Sequence, residues 1–173
     1  MVNDLLDVNS IENNQNRVNK EKIDVAPIVE SLAEVYSNQA ESKKIKVHTD
    51  IQYRLIKIHA DESHLRSIIE NLLSNAVKFS ESGSDVTIRL KKEKETAQIS
   101  VLDNGPGITE EDQKRLFGRY TRLSNKPTGD ETSVGLGLYI VKNLAEAMNG
   151  SIRCESEHGK GSRFIVTFPL VED

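Results

Sequence analysis

A chain of 173 residues with 36% hydrophobic content is expected to fold as one main domain around an adequate core. A formal net charge of −4, no long Lys/Arg run and an aromatic content of 5% argue against a nucleic-acid partner. The single cysteine, Cys154, excludes an internal disulfide and a Cys-rich zinc site, and no apolar run reaches the roughly 20 residues of a membrane helix, so the chain is expected to be cytoplasmic.

Residues 1 to about 22 open with a loose helical stripe, Val2, Leu5, Leu6, Val8 and Ile11, and then turn Asn-rich. A helix this short is marginal alone in water, so the stripe reads as the end of a longer helix followed by a linker, with the main domain over 23–173. Pro27 suits a first helical turn, and Val29, Leu32, Val35, Tyr36 and Ala40 predict a core helix to about Ser42. Ile45/Val47 and Leu55/Ile56/Ile58 follow as two short strand candidates, read as neighbours in one antiparallel sheet.

After Asp61, a plausible N-cap, Leu65, Ile68, Ile69, Leu72, Leu73, Ala76 and Val77 follow the i, i+3, i+4, i+7 rule of a helix packed on a sheet. Asn71, Asn75 and Lys78 fall together on a face turned away from that stripe. Asn is a mediocre helix former, so two of them one turn apart suggest a task beyond helix formation; the plain alternative is a solvated face. Gly83 stops the helix, Val86/Ile88/Leu90 predict a strand, and Thr96 to Leu102 its partner.

That partner strand ends at Asp103-Asn-Gly105-Pro-Gly107. A carboxylate held at a strand end is well placed to read a ligand, and the glycines remove Cβ atoms that would keep a flat ring or a phosphate from the backbone. A simple turn is the competing reading, since all five residues are turn formers. Thr109-Glu-Glu-Asp112 resembles a capping box opening a helix to Leu116-Phe117. Gly118 to Val134 carries basic residues and no periodicity, as a lid or binding loop does. Gly135-Leu136-Gly137-Leu138 then leads into a helix closed by Asn149-Gly150, a phosphate site in outline. Ile152/Cys154 and Phe164/Val166/Phe168 flank Glu157-His-Gly159-Lys-Gly161 as a hairpin, with Cys154 as a small packed hydrophobe. There is neither a Walker loop nor a G-x-G-x-x-G opening a first βα unit.

Taken in order, these motifs resemble the ATP-binding catalytic domain of bacterial sensor histidine kinases, within the GHKL superfamily. His64 to Phe79 is similar to the N box, Asp103 to Gly107 to the first glycine box, Leu116-Phe117 with Tyr120 and Arg122 to the F box, and Gly135 to Leu138 to the second glycine box. Gly159-Lys-Gly161-Ser162 resembles the glycine pair before the last strand. The resemblance covers about residues 23 to 170. It implies a two-layer α/β sandwich, one mixed and mostly antiparallel sheet with helices on one face, and a lid over about 118–134.

It further implies ATP and Mg²⁺ as cofactors. Asp103 would accept from the adenine amino group, with Ser162 at a position usually held by Thr. Asn75, assisted by Asn71, would ligate Mg²⁺; Lys78 would meet a phosphate, Phe79 would lie beside the nucleotide, and Gly105, Gly107, Phe117, Gly135, Leu136, Gly137 and Leu138 would complete the pocket. Arg122, with Arg119 as a further candidate, would swing to the γ-phosphate. Asn71 stands where hydrolytic members carry a water-orienting Glu, which implies transfer to an external acceptor. The implied acceptor is a histidine on a dimerisation hairpin, of which residues 1–22 resemble the end, with relay to a response regulator receiver domain. A homodimeric, membrane-anchored parent is compatible with this. His48, His59, His64 and His158 lack the family's His-Glu/Asp-x-x-Asn/Thr setting. Ser133, where the second glycine box often begins with Gly, and the stretch from Lys126 to Thr132 depart from the pattern. The alternatives are a degenerate nucleotide-sensing interaction module without kinase activity, and a serine kinase of the anti-sigma type.

Overall fold

The computed structural model describes residues 18–121, 123–124, 127–128 and 135–171. The helical stripe in residues 1–11 lies outside them, as do Arg122, Lys126 and Ser133.

In chain order the elements are β1 (Glu21–Asp24), α1 (Val25–Ala40), β2 (Lys46–Ile51), β3 (Lys57–Ala60), α2 (Glu62–Phe79), β4 (Asp85–Glu93), β5 (Thr96–Asp103), α3 (Glu110–Gln113), α4 (Gly137–Ala147), β6 (Ser151–Glu157) and β7 (Gly161–Pro169). The main sheet has the order β2-β4-β5-β7-β6, with β2–β4 parallel and the other pairs antiparallel. Helices α1, α2 and α4 pack on one face of it, as the two-layer sandwich requires. Val86, Ile88, Leu90, Ile99, Val101, Phe164, Val166 and Phe168 meet Leu65, Ile68, Ile69, Leu72 and Leu73 in one core. The opposite face carries charged ladders such as Arg89 to Asp50 at 2.6 Å.

Helix α2 follows its pattern closely. The Asp61 carboxylate accepts from the His64 amide at 3.2 Å as N-cap, and the Lys43 ammonium reaches the Val77 and Lys78 carbonyls at 3.4 Å, satisfying the last turn. Among the described residues no helix is long and apolar enough to cross a membrane.

The expected pairing of the two early strands is corrected. β2 runs parallel to β4, and β3 pairs antiparallel with β1 in a separate two-stranded sheet. The reason is topological: α2 lies between β2 and β4 in the chain, so their connection is a crossover, which joins parallel strands. β3 is left to a partner of sequence Glu-Lys-Ile-Asp, whose single hydrophobe gives no alternation to read. β1 thus straddles the expected boundary at residue 22. The helix opened by Thr109 is also shorter than expected: α3 is a single turn, and residues 114–117 continue as turns.

Candidate functional site

A cleft opens where the C-terminal half of α2 meets the end of β5, lined by Asn75, Phe79, Asp103, Pro106, Gly107, Leu123, Leu138, Ser162 and Phe164. Six of the residues singled out in the sequence, Asn75, Phe79, Asp103, Gly107, Leu138 and Ser162, therefore converge on one space.

Asp103 is placed by strand register, opposite Val86 on β4 and Ser162 on β7. It is only 5% exposed, and burial raises its carboxyl to about pKa 6 against the opposing pull of the Gly105 and Ser162 amides. An acceptor-only carboxylate in an apolar setting seeks a donor, and a ligand amino group supplies one. The loop after β5 is fastened from behind. The Ser156 hydroxyl accepts from the Ile108 amide at 2.8 Å and lies 3.0 Å from the Ser162 hydroxyl, while the Gly159 amide donates to the Pro106 carbonyl at 2.7 Å. A Cβ at Gly107 would stand 2.0 Å from the Glu157 carbonyl oxygen, and one at Gly161 2.1 Å from that of Asp103, both at positive φ. Close backbone approach thus requires glycine at these two positions.

The amide end is built by α2 and the start of α4. The Asn71 side-chain nitrogen donates to the Ser67 carbonyl at 2.8 Å, which turns its oxygen outward. A Cβ at Gly137 would lie 2.8 Å from that oxygen and 4.0 Å from Asn75 Nδ2, so the missing side chain keeps open the gap between the two asparagines and the α4 N-terminus. Among the described residues no group of three or more His, Cys, Asp or Glu could hold a metal. A cation here would rest on amide oxygens, waters and ligand phosphates, a set that suits Mg²⁺, which keeps several of its waters.

Other expected pocket residues sit behind the wall rather than in it. Leu136 is 1% exposed in the core, and Phe117 packs against the same core. A Cβ at Gly135 would meet the Thr121 carbonyl oxygen at 2.5 Å, so this glycine seats the start of the lid. The Arg119 guanidinium lies 5.1 Å from the Tyr120 ring centroid. Cys154 is half-buried, and burial, with Asp103 and Glu155 adding, pushes its thiol up to about pKa 12, in keeping with a packing role.

The roles of Leu123, Phe164 and Asp112 are absent from the sequence reading; Phe164, read as a strand residue, also lines the cleft. Leu123 is an isolated hydrophobe in an aperiodic loop, yet it lines the cleft. Asp112, read as part of a capping box, supplies only its amide to Thr109; its carboxylate is spent elsewhere, on Ser124 and Arg115. Hydrogen bonds from Ser124 and then Arg115 hold it down at about pKa 2. The available signal was the Asp-x-x-Arg spacing, an i, i+3 ion pair.

A family model described as histidine kinase-, DNA gyrase B-, and HSP90-like ATPase matches residues 60–172. The chain is 34% identical to the sensor-like histidine kinase SenX3 of Mycolicibacterium smegmatis over 100% of its own length and 45% of that protein. It is 33% identical to the circadian input-output histidine kinase CikA of Synechococcus elongatus, over 98% of its length and 23% of that protein. It therefore spans less than half the length of these curated relatives. Among solved structures, full-length ShkA in complex with AMPPNP is similar at a TM-score of 0.86 and 29% identity, over 99% of this chain and 35% of that one. The catalytic domain of the histidine kinase ThkA, nucleotide free, shares the fold at a TM-score of 0.76 and 20% identity, over 87% of this chain and 95% of that one.

Proposed function

The chain belongs to the family of histidine kinase-, DNA gyrase B- and HSP90-like ATPases, and from that premise we propose that it is the ATP-binding catalytic part of a sensor histidine kinase. The observation that carries this reading is the meeting, in one cleft, of a buried strand-end carboxylate, Asp103, with the amide face of α2 at Asn75. The first suits a base with an amino group, the second a metal-bound polyphosphate.

In this reading Asp103 accepts from the adenine amino group and Ser162 supports that end. Phe79 and Leu138 supply apolar walls, Gly107 seats the loop after β5 against the β6–β7 hairpin, and Gly105 lets that loop pass close to Asp103 and Phe79. Asn75, with Asn71 beside it, holds Mg²⁺, which when bound neutralises phosphate charge; Lys78 meets a phosphate, and Gly137 keeps room for the polyphosphate at the α4 N-terminus. Gly135, Leu136 and Phe117 support the pocket from the core side. Arg122, outside the described residues, is the lid's cation for the γ-phosphate.

The reaction breaks the bond between the γ-phosphorus and the bridging oxygen, releases ADP, and forms a P–N bond to a histidine on a dimerisation domain. Relay to a response regulator follows. Because Asn71 occupies the position expected to orient water in hydrolytic relatives, the nucleophile is that histidine, and catalysis rests on positioning and charge stabilisation.

Calorimetry with a non-hydrolysable ATP analogue, with and without Mg²⁺, tests the pocket. Mg²⁺ should tighten binding to the parent chain and leave the Asn75→Ala variant unchanged. Mixing with an acceptor hairpin and labelled ATP should then place label on the hairpin histidine. Binding with no such transfer would favour a nucleotide-sensing module, and release of free phosphate would favour a hydrolase.

A further inference from the structure

The buried carboxylate of Asp112 has no place in the chemistry above. Its side chain is only 2% exposed, and it accepts from the Ser124 amide at 2.9 Å and the Ser124 hydroxyl at 2.6 Å. Arg115 donates to the same group through Nη2 at 2.6 Å and Nε at 3.2 Å, with its own side chain 55% exposed. The protein-facing work of the carboxylate is therefore to hold one residue of the loop that follows α3. Capture of a backbone amide fixes the position of the chain itself, which a contact between two side-chain tips does not do.

The residue next to Ser124 is Leu123, which forms part of the cleft wall together with the fixed loop after β5. Nearby points of the loop are fastened separately. Thr121 is wedged against Gly118 and Gly135, each without room for a Cβ beside it. The Thr128 amide donates to the Lys78 carbonyl at 3.1 Å, and its hydroxyl donates to the Ser80 carbonyl at 2.8 Å. Asp112 thus makes the described hydrogen-bonded contact closest in sequence to Leu123, whose side chain also packs against the core.

We propose that Asp112 is a positioning residue for the nucleotide: by holding Ser124 it seats Leu123 against the bound base and slows the ligand's departure. This rests on the reading of the cleft as an ATP site. Asp112 touches neither base nor phosphate and acts through Leu123 alone. Replacing the carboxylate with a carboxamide keeps the shape but removes the charge that strengthens both Ser124 bonds, and it turns a donor toward donors. Leu123 is then released from the wall, and association, limited by entry into the open cleft, changes little.

A double-mutant cycle on the full 173-residue chain separates this from a merely structural role. The parent, Asp112→Asn, Leu123→Ala and the double variant are compared by stopped-flow dissociation of a ribose-labelled fluorescent ATP analogue with Mg²⁺. Asp112→Asn is expected to raise koff about tenfold with kon within about twofold, and Leu123→Ala to raise koff similarly; the double variant should be no faster than the faster single one. Ser124→Ala, which keeps the carboxylate, Arg115 and the backbone amide, should raise koff about threefold and guards against misfolding of Asp112→Asn. Multiplying effects in the double variant, or an unchanged koff in both Asp112→Asn and Ser124→Ala, would overturn the proposal while leaving the ATP site intact. Failure of the folded parent to bind the analogue would instead overturn the ATP reading, and the role of Asp112 with it.

Discussion

If Asp103 receives the adenine amino group, it does so best when ionised, because protonation leaves a weaker acceptor and places an O–H donor beside the amino donor. Burial raises this group to about pKa 6, so acidification should weaken nucleotide binding in a range where an ordinary aspartate is already fully charged. The competent fraction is about nine-tenths at pH 7, half at pH 6 and one-tenth at pH 5, and the apparent Kd scales inversely with it. Kd should therefore rise by up to about tenfold between pH 7 and pH 5, whereas an unshifted carboxylate would give a change of less than about 10%. Titration calorimetry of an ATP analogue from pH 5 to pH 8 measures this. Asp103→Asn serves as the control, since protonation of the phosphates affects both proteins alike. A flat parent profile, or the same slope in both proteins, would refute the assignment. Stability should move in the opposite sense. The unfolded carboxyl loses its proton near pH 4 and the folded one near pH 6, so the folded state holds the extra proton between them and stability falls as pH rises through that window, by up to about 3 kcal/mol. Asp103→Asn should accordingly melt higher than the parent at pH 7 while binding the nucleotide more weakly but measurably.

Gly137→Ala places a methyl 2.8 Å from the Asn71 oxygen, so Mg²⁺-dependent ATP binding should fall at least tenfold while the melting temperature changes by only a few degrees, as a helix-favouring substitution allows. Gly107→Ala drives a methyl to 2.0 Å from the Glu157 carbonyl oxygen at φ +68, and denaturant unfolding should show a loss of about 3 kcal/mol or more. Leu73→Ala, at a fully buried position between α2 and the sheet, should cost about 2–5 kcal/mol by the same measurement, with ATP affinity per folded molecule preserved.

How much of this was legible in the residues follows from how local the signals are. The stripe from Leu65 to Ala76 alone specifies α2, its buried face and, by exclusion, the outward placement of Asn75. The abrupt stop of an apolar strand at Asp103 marks a site without any neighbour's help. β1 could not be read in the same way, because its conformation is imposed by pairing with β3 rather than by its own four residues. The same holds for the parallel partnership of β2, which depends on where α2 sends the chain. Asp112 escaped because a capping box and a ladle for a distant amide have the same spelling; only the fold brings Ser124 within reach of the carboxylate. Leu136 and Phe117 share a sequence signature with the residues that line the cleft, and only the fold shows that they pack into the core instead.

The two sides of the cleft are fastened in unlike ways. The floor beneath Asp103 is stitched to the β6–β7 hairpin through main-chain contacts, such as the Gly159 amide on the Pro106 carbonyl, and through Gly107 and Gly161, where a Cβ has no room. The roof at Leu123 hangs from a carboxylate and a hydroxyl, groups that one-atom changes can loosen. Which base is accepted and how long it stays are therefore written in separate parts of the molecule. Descendants of this sequence can retune dwell time through a few loop residues and never touch the choice of nucleotide.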